Sequence, residues 1–75
     1  MTISLAQLQE IFQSAFNEDI DLLPTSSKDT LEAWDSINHL QLIVELEDRL
    51  GVSFTKEEIE QLDSVPKLTA MLAAK

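Results

Sequence analysis

The sequence predicts an all-α fold: a small four-helix bundle of three main helices and one short helix, with a long ordered loop between the first two. Three observations carry that prediction. The 75 residues hold one glycine and two prolines, too few to punctuate a set of short strands. No segment alternates apolar and polar residues over a useful length. Apolar residues instead recur at helical spacing, and each such segment opens on a capping residue.

The first helix is expected over about 4–16. Leu5, Leu8, Ile11, Phe12, Ala15 and Phe16 fall on helical spacing, and Ser4 with Gln7 makes a capping-box pattern. The second spans about 36–50, with Asp35 as N-cap and Gly51 at the position that takes a left-handed C-terminal residue. Thr55 and Glu58 repeat the capping box and open a short third helix to about Leu62. Ser64 caps the last helix, which has Pro66 in its first turn and Leu68, Met71 and Leu72 on its apolar face. Residues 17–34 form the long loop. Structureless loops of that length are uncommon in compact domains, so Ile20, Leu22, Leu23, Leu31 and Trp34 are expected to anchor this one across the bundle.

Residues 1–75 are expected to form one domain. A chain this short buries only about 60% of its unfolded surface, so the core is thin. Apolar residues at 44% still suffice for a core and exclude intrinsic disorder. With no cysteine, the chain has no disulfide and no thiolate of its own for metal binding or nucleophilic attack. Fourteen acidic residues against five basic ones give a net charge of −9. That balance disfavours nucleic acid and anionic membranes and favours partners with basic docking patches. The stretch "MTISLAQLQEIF" has neither the basic start nor the apolar run of a signal peptide, and no segment has the length of a membrane span. A cytoplasmic monomer is the expectation.

Asp19 and Asp21 have the opening spacing of a calcium loop, but Leu23 and Pro24 stand where an oxygen ligand and a glycine are needed. A lone histidine, His39, cannot build a metal site. Ser36 and His39 are three apart on a helix and close enough for a dyad, yet an orienting group and an oxyanion hole are also required.

The second helix has two apolar strips. At about 100° per residue, Leu42, Ile43, Leu46 and Leu50 share one side, and Ile37, Leu40 and Val44 share another. Glu47 falls among the second strip, which argues that this strip is exposed and suited to transient docking, since an unpaired charge avoids burial. Ser36 stands on the first turn, where free N–H groups and the helix dipole favour a negatively charged group. Helix physics alone leaves two readings open, a plain first-turn residue and an attachment point for a phosphodiester.

"WDSI" followed by "LIVELEDRLGVSF" resembles the acyl carrier protein family, over nearly the whole chain. The resemblance implies that Ser36, within the Asp-Ser-Ile motif, bears 4′-phosphopantetheine delivered from coenzyme A by a phosphopantetheinyl transferase. It implies that acyl groups ride as thioesters on the arm's thiol and that the protein is no enzyme itself. Asp35, Ile37, Leu40, Val44, Glu47 and Asp48 match the family's partner-facing positions, toward acyl-loading and acyl-processing enzymes. The chain departs from members that serve fatty-acid synthesis: Asn38 and Gln41 replace acids, and Ala33-Trp34 replaces a glycine-containing pair. The departures point to a dedicated carrier in a specialised biosynthetic pathway. His39 and Ile43 are candidates to line an acyl pocket. An aminoacyl or peptidyl carrier, an acidic inhibitor-like interaction module, and a small Ser36–His39 hydrolase are the competing readings.

Overall fold

A computed structural model describes residues 2–75. It holds four helices in the order α1 (Leu5–Phe16), α2 (Ser36–Leu50), α3 (Lys56–Gln61) and α4 (Val65–Ala74). Among the described residues the only extended pairing is a single antiparallel bridge between Ser27 and Ser64.

Each helix begins where its local chemistry dictates. In α1 the Gln7 N–H donates to Ser4 Oγ over 3.2 Å, and the Ser4 N–H donates to Gln7 Oε1 over 3.0 Å. The same reciprocal pair joins Thr55 and Glu58 at the start of α3, over 2.9 and 3.1 Å. Ser64 Oγ accepts from the Lys67 N–H over 3.3 Å, and Pro66 occupies the first turn of α4, where a missing N–H costs nothing. α2 ends at Gly51, whose φ of 66° is open to glycine without the penalty a Cβ imposes; its N–H donates to the Glu47 carbonyl over 3.0 Å. α1 ends with Asn17 in the same left-handed region, a place that asparagine tolerates.

One face of each long helix closes the core. Leu8, Ile11, Phe12 and Phe16 of α1 meet Leu42, Ile43 and Leu46 of α2 and Val65, Leu68 and Leu72 of α4, and Phe54 and Leu62 flanking α3, with Ile20, Leu22 and Trp34 of the loop, complete the cluster. Leu50 is half-buried against it. α3 has only six residues and buries none of them fully. Leu5, at the open end of α1, is exposed: the apolar stripe of α1 reaches one turn beyond the core it serves.

The long loop is tied down from both sides. Ile20, Leu22 and Trp34 are buried, and Leu31 packs at the edge of the core. Leu23, expected as an anchor, points to solvent at 54% exposure. Neighbouring residues of an extended segment face opposite ways, so burying Leu22 turns Leu23 outward. The loop also uses its backbone. The Val65 N–H donates to the Ser26 carbonyl over 2.8 Å, and the Lys28 N–H donates to the Asp63 carbonyl over 2.9 Å, pinning the loop to the start of α4. From α1, Gln9 Oε1 accepts the Leu22 N–H over 3.1 Å and Gln13 Nε2 donates to the Ile20 carbonyl over 3.4 Å. These bonds hold the first part and the middle of the loop; its far end is held by the Trp34 N–H on the Leu31 carbonyl over 3.0 Å and by the Trp34 indole N–H on His39 Nδ1 over 2.9 Å.

Candidate carrier site at the start of the second helix

The turn that presents Ser36 is built by Asp35. Its backbone is extended, its Oδ1 accepts the Asn38 N–H over 2.8 Å, and its carbonyl accepts the His39 N–H over 2.8 Å. Ser36 is then the first helical residue and is exposed. Its hydroxyl and the N–H groups of Ser36 and Ile37 have no hydrogen-bond partner among the described residues. An exposed hydroxyl beside two free amides at a helix N-terminus is a place where a phosphodiester fits by charge and by geometry. Asp35 opposes that anion in part, because its carboxylate is already engaged as the cap.

Asn38 adds a second tie. Its Nδ2 donates to the Ala33 carbonyl over 2.7 Å, across the turn that holds Ser36. A carboxylate at this position has no proton to give, so the asparagine is a structural as well as an electrostatic departure from an acid. This role does not follow from helical periodicity; its only signal in the sequence is a polar residue three beyond an N-cap, able to reach back across the turn.

The apolar face of α2 divides in two. Leu42, Ile43 and Leu46 are buried, while Ile37, Leu40 and Val44 are 73%, 60% and 60% exposed. The acids of α2 are less alike than their spacing suggests. Glu45 Oε2 accepts from Arg49 Nε over 2.8 Å, and Arg49 reaches on to Ser14 Oγ of α1 over 3.0 Å. Glu47 is half-buried, and its Oε2 accepts the Phe54 N–H over 2.9 Å, bracing the turn between α2 and α3. Asp48 is exposed. Of the three, Asp48 alone presents a carboxylate with no hydrogen-bond partner among the described residues.

His39 is not at a surface that could serve Ser36. It is buried, and both ring nitrogens are taken: the Trp34 indole N–H donates to Nδ1 over 2.9 Å, and Nε2 lies 2.8 Å from the Ile59 carbonyl. The indole can only donate, so Nδ1 is the acceptor and the proton sits on Nε2, directed at Ile59. Burial lowers the His39 pKa from 6.5, with the Ile59 hydrogen bond opposing and the Lys28 charge assisting. A neutral imidazole with no free nitrogen is no general base for Ser36, which counts against the competing hydrolase reading, and its burial corrects the suggestion that His39 lines an open acyl pocket. No group of three or more metal-binding side chains occurs among the described residues, and no helix among them is long and apolar enough to cross a membrane.

Comparison with known proteins agrees with this geometry. Residues 6–72 match the family model described as a phosphopantetheine attachment site. The fold is similar to the solution NMR structure of a holo acyl carrier protein from Geobacter metallireducens, at a TM-score of 0.82 and 35% identity, over 95% of this chain and 83% of that one. No curated protein matches the chain. The family match over most of the chain, together with a like-folded relative at that identity, shows that this protein belongs to the acyl carrier protein family and that its cofactor is covalently attached 4′-phosphopantetheine.

Proposed function

We propose that Ser36 bears the phosphopantetheine and that the single domain of residues 1–75 is a carrier of acyl groups, without catalytic activity of its own, in a specialised biosynthetic pathway of the cytoplasm. The observation that supports this most is the free, exposed Ser36 hydroxyl beside unpaired amides at the start of α2. On a transferase, Ser36 Oγ attacks the pantetheine-bearing phosphorus of coenzyme A. The phosphoanhydride bond breaks, the adenosine bisphosphate leaves, and the hydroxyl proton passes to a base of the transferase. When bound, the arm supplies a thiol that holds acyl groups as thioesters.

The rest of the task belongs to this chain's surface. Ile37, Leu40 and Val44 offer an apolar strip of the kind that transient interfaces use, beginning one residue from the tether. Asp35 and Asp48 bracket it, and with the −9 net charge they steer basic partner surfaces toward it. Glu47 contributes charge at long range while its carboxylate braces the α2–α3 turn. The neutral Asn38 and Gln41 leave the polar side of α2 next to the strip without the acids that a general fatty-acid carrier presents, which supports a dedicated set of loading and processing enzymes. Incubation with a phosphopantetheinyl transferase, Mg²⁺ and coenzyme A, followed by peptide mapping, is expected to place one phosphopantetheinyl group on Ser36; a group found on any other residue would overturn the assignment.

A further inference from the structure

An acyl chain tethered at Ser36 gains by leaving water, so a carrier with room inside its bundle shelters a long chain there. The space beneath the first turn of α2 is already filled. Trp34 is 3% exposed and meets Phe12 edge-on at 5.1 Å between ring centres, and Phe12 meets Phe16 edge-on at 5.4 Å. His39 lies nearly parallel to the indole, with ring centres 6.2 Å apart. These rings come from α1, the loop and α2, and they occupy the interior that a chain entering beside Ser36 would need.

The same rings are latched. His39 joins the loop to α2 through the Trp34 indole and joins α2 to α3 through the Ile59 carbonyl. Asn38 closes the other side of the turn onto Ala33. Drawing α3 away from α2 to admit a chain strands the His39 Nε2–H and the Ile59 carbonyl; swinging Trp34 aside strands its indole N–H. Each is a polar group left in a largely apolar setting without a partner, and an entering alkyl chain offers none. Open surface hollows of about 540 and 380 Å³ do exist, but one runs along α1 at Leu5, Ala6, Gln7, Gln9 and Glu10 and the other lies at Gln13, Asn17, Glu18 and Asp19; Ser36 lines neither.

Resting on the assignment of the arm to Ser36, we infer that this carrier holds its cargo outside the bundle, and that its cargo is accordingly short or polar acyl groups. A long alkyl thioester left in water on an exposed turn promotes association, whereas a short or polar one is carried without shelter.

The test loads the intact protein from acetyl-, hexanoyl- and decanoyl-coenzyme A with a permissive transferase. Intact mass first verifies one acyl-phosphopantetheinyl group, lost in Ser36→Ala. The thermal midpoint, the indole emission of Trp34 and retention on a hydrophobic-interaction column are then compared across the three. An external cargo gives midpoints that agree within about 1 °C, unchanged emission, and retention that rises with chain length. A midpoint that climbs by about 5 °C or more from acetyl to decanoyl, with shifted emission and flat retention, overturns the inference about cargo and leaves the tether intact. Absence of the mass gain overturns the Ser36 assignment itself, and the inference with it.

Discussion

The indole N–H of Trp34 donates to Nδ1 of His39 over 2.9 Å, and that single bond sets the chemistry of the histidine. It forces the proton onto Nε2, which carries the ring's second bond to Ile59. Protonating Nδ1 points two donors at one another inside the core. The folded state therefore favours neutral His39, in agreement with its lowered pKa, whose main cause is burial.

The pH dependence follows with a definite sign. The unfolded chain takes up a proton near pH 6.5, and the folded chain does so only at lower pH. Between those values the unfolded state binds more protons, so the contribution of His39 to stability is complete above about pH 6.5 and is lost as pH falls through the folded pKa. Urea midpoints measured from pH 8 to pH 5 for wild type and His39→Gln are expected to converge as pH falls, because the variant has no proton to gain. Parallel curves would contradict the latch.

His39→Ala at pH 7.5 removes both bonds and leaves the indole N–H and the Ile59 carbonyl without partners. A loss of about 2–4 kcal/mol is expected from chemical denaturation. The Ser36 hydroxyl touches neither group, so a transferase still modifies the folded fraction. Loss of modification at a temperature where the variant is folded would show that His39 acts on Ser36 directly.

Glu47 and Asp48 are adjacent acids in different settings, one hydrogen-bonded to the Phe54 N–H and one exposed. Glu47→Ala is expected to cost about 1–2 kcal/mol of stability, because the Phe54 N–H loses its acceptor. Glu47→Gln keeps an acceptor and recovers most of that loss. Asp48→Asn is expected to change stability by less than about 0.5 kcal/mol and to raise the KM of the transferase, more so at low salt. Equal stability losses at both positions would contradict the assignment of Glu47 to the α2–α3 turn.

The exposed strip of Ile37, Leu40 and Val44 is expected to matter for docking far more than for stability. Leu40→Ser is expected to cost less than about 1 kcal/mol of stability, since the side chain is 60% exposed and the loss is mainly one of helix propensity. The kcat/KM of the transferase, and of a loading enzyme, falls about tenfold, the effect of losing about 1.4 kcal/mol of contact. A variant that destabilises the fold but docks normally would place Leu40 in the core instead.

What could be read in advance divides by sequence distance. The caps at Ser4, Asp35, Thr55 and Ser64 and the left-handed Gly51 are local chemistry over three or four residues, and all stand where the spacing put them. The two strips of α2 followed from helix geometry plus one charge, although Glu47, the charge that split them, proved to be hydrogen-bonded. The His39–Ile59 bond joins residues twenty apart and depends on where a six-residue helix lands, which periodicity does not reveal. The docking of the loop on α4 uses backbone groups of Ser26, Lys28, Asp63 and Val65, and these have no side-chain signature. Leu22 and Leu23 are chemically equal in sequence, and only the path of the loop decides which one is buried.

The most direct measurement is the intact mass of the protein after incubation with coenzyme A, Mg²⁺ and a phosphopantetheinyl transferase, beside a Ser36→Ala control of verified fold. The wild type is expected to gain one phosphopantetheinyl group and the control none. An unchanged wild-type mass with an active transferase, or an equal gain in the control, would contradict Ser36 as the tether.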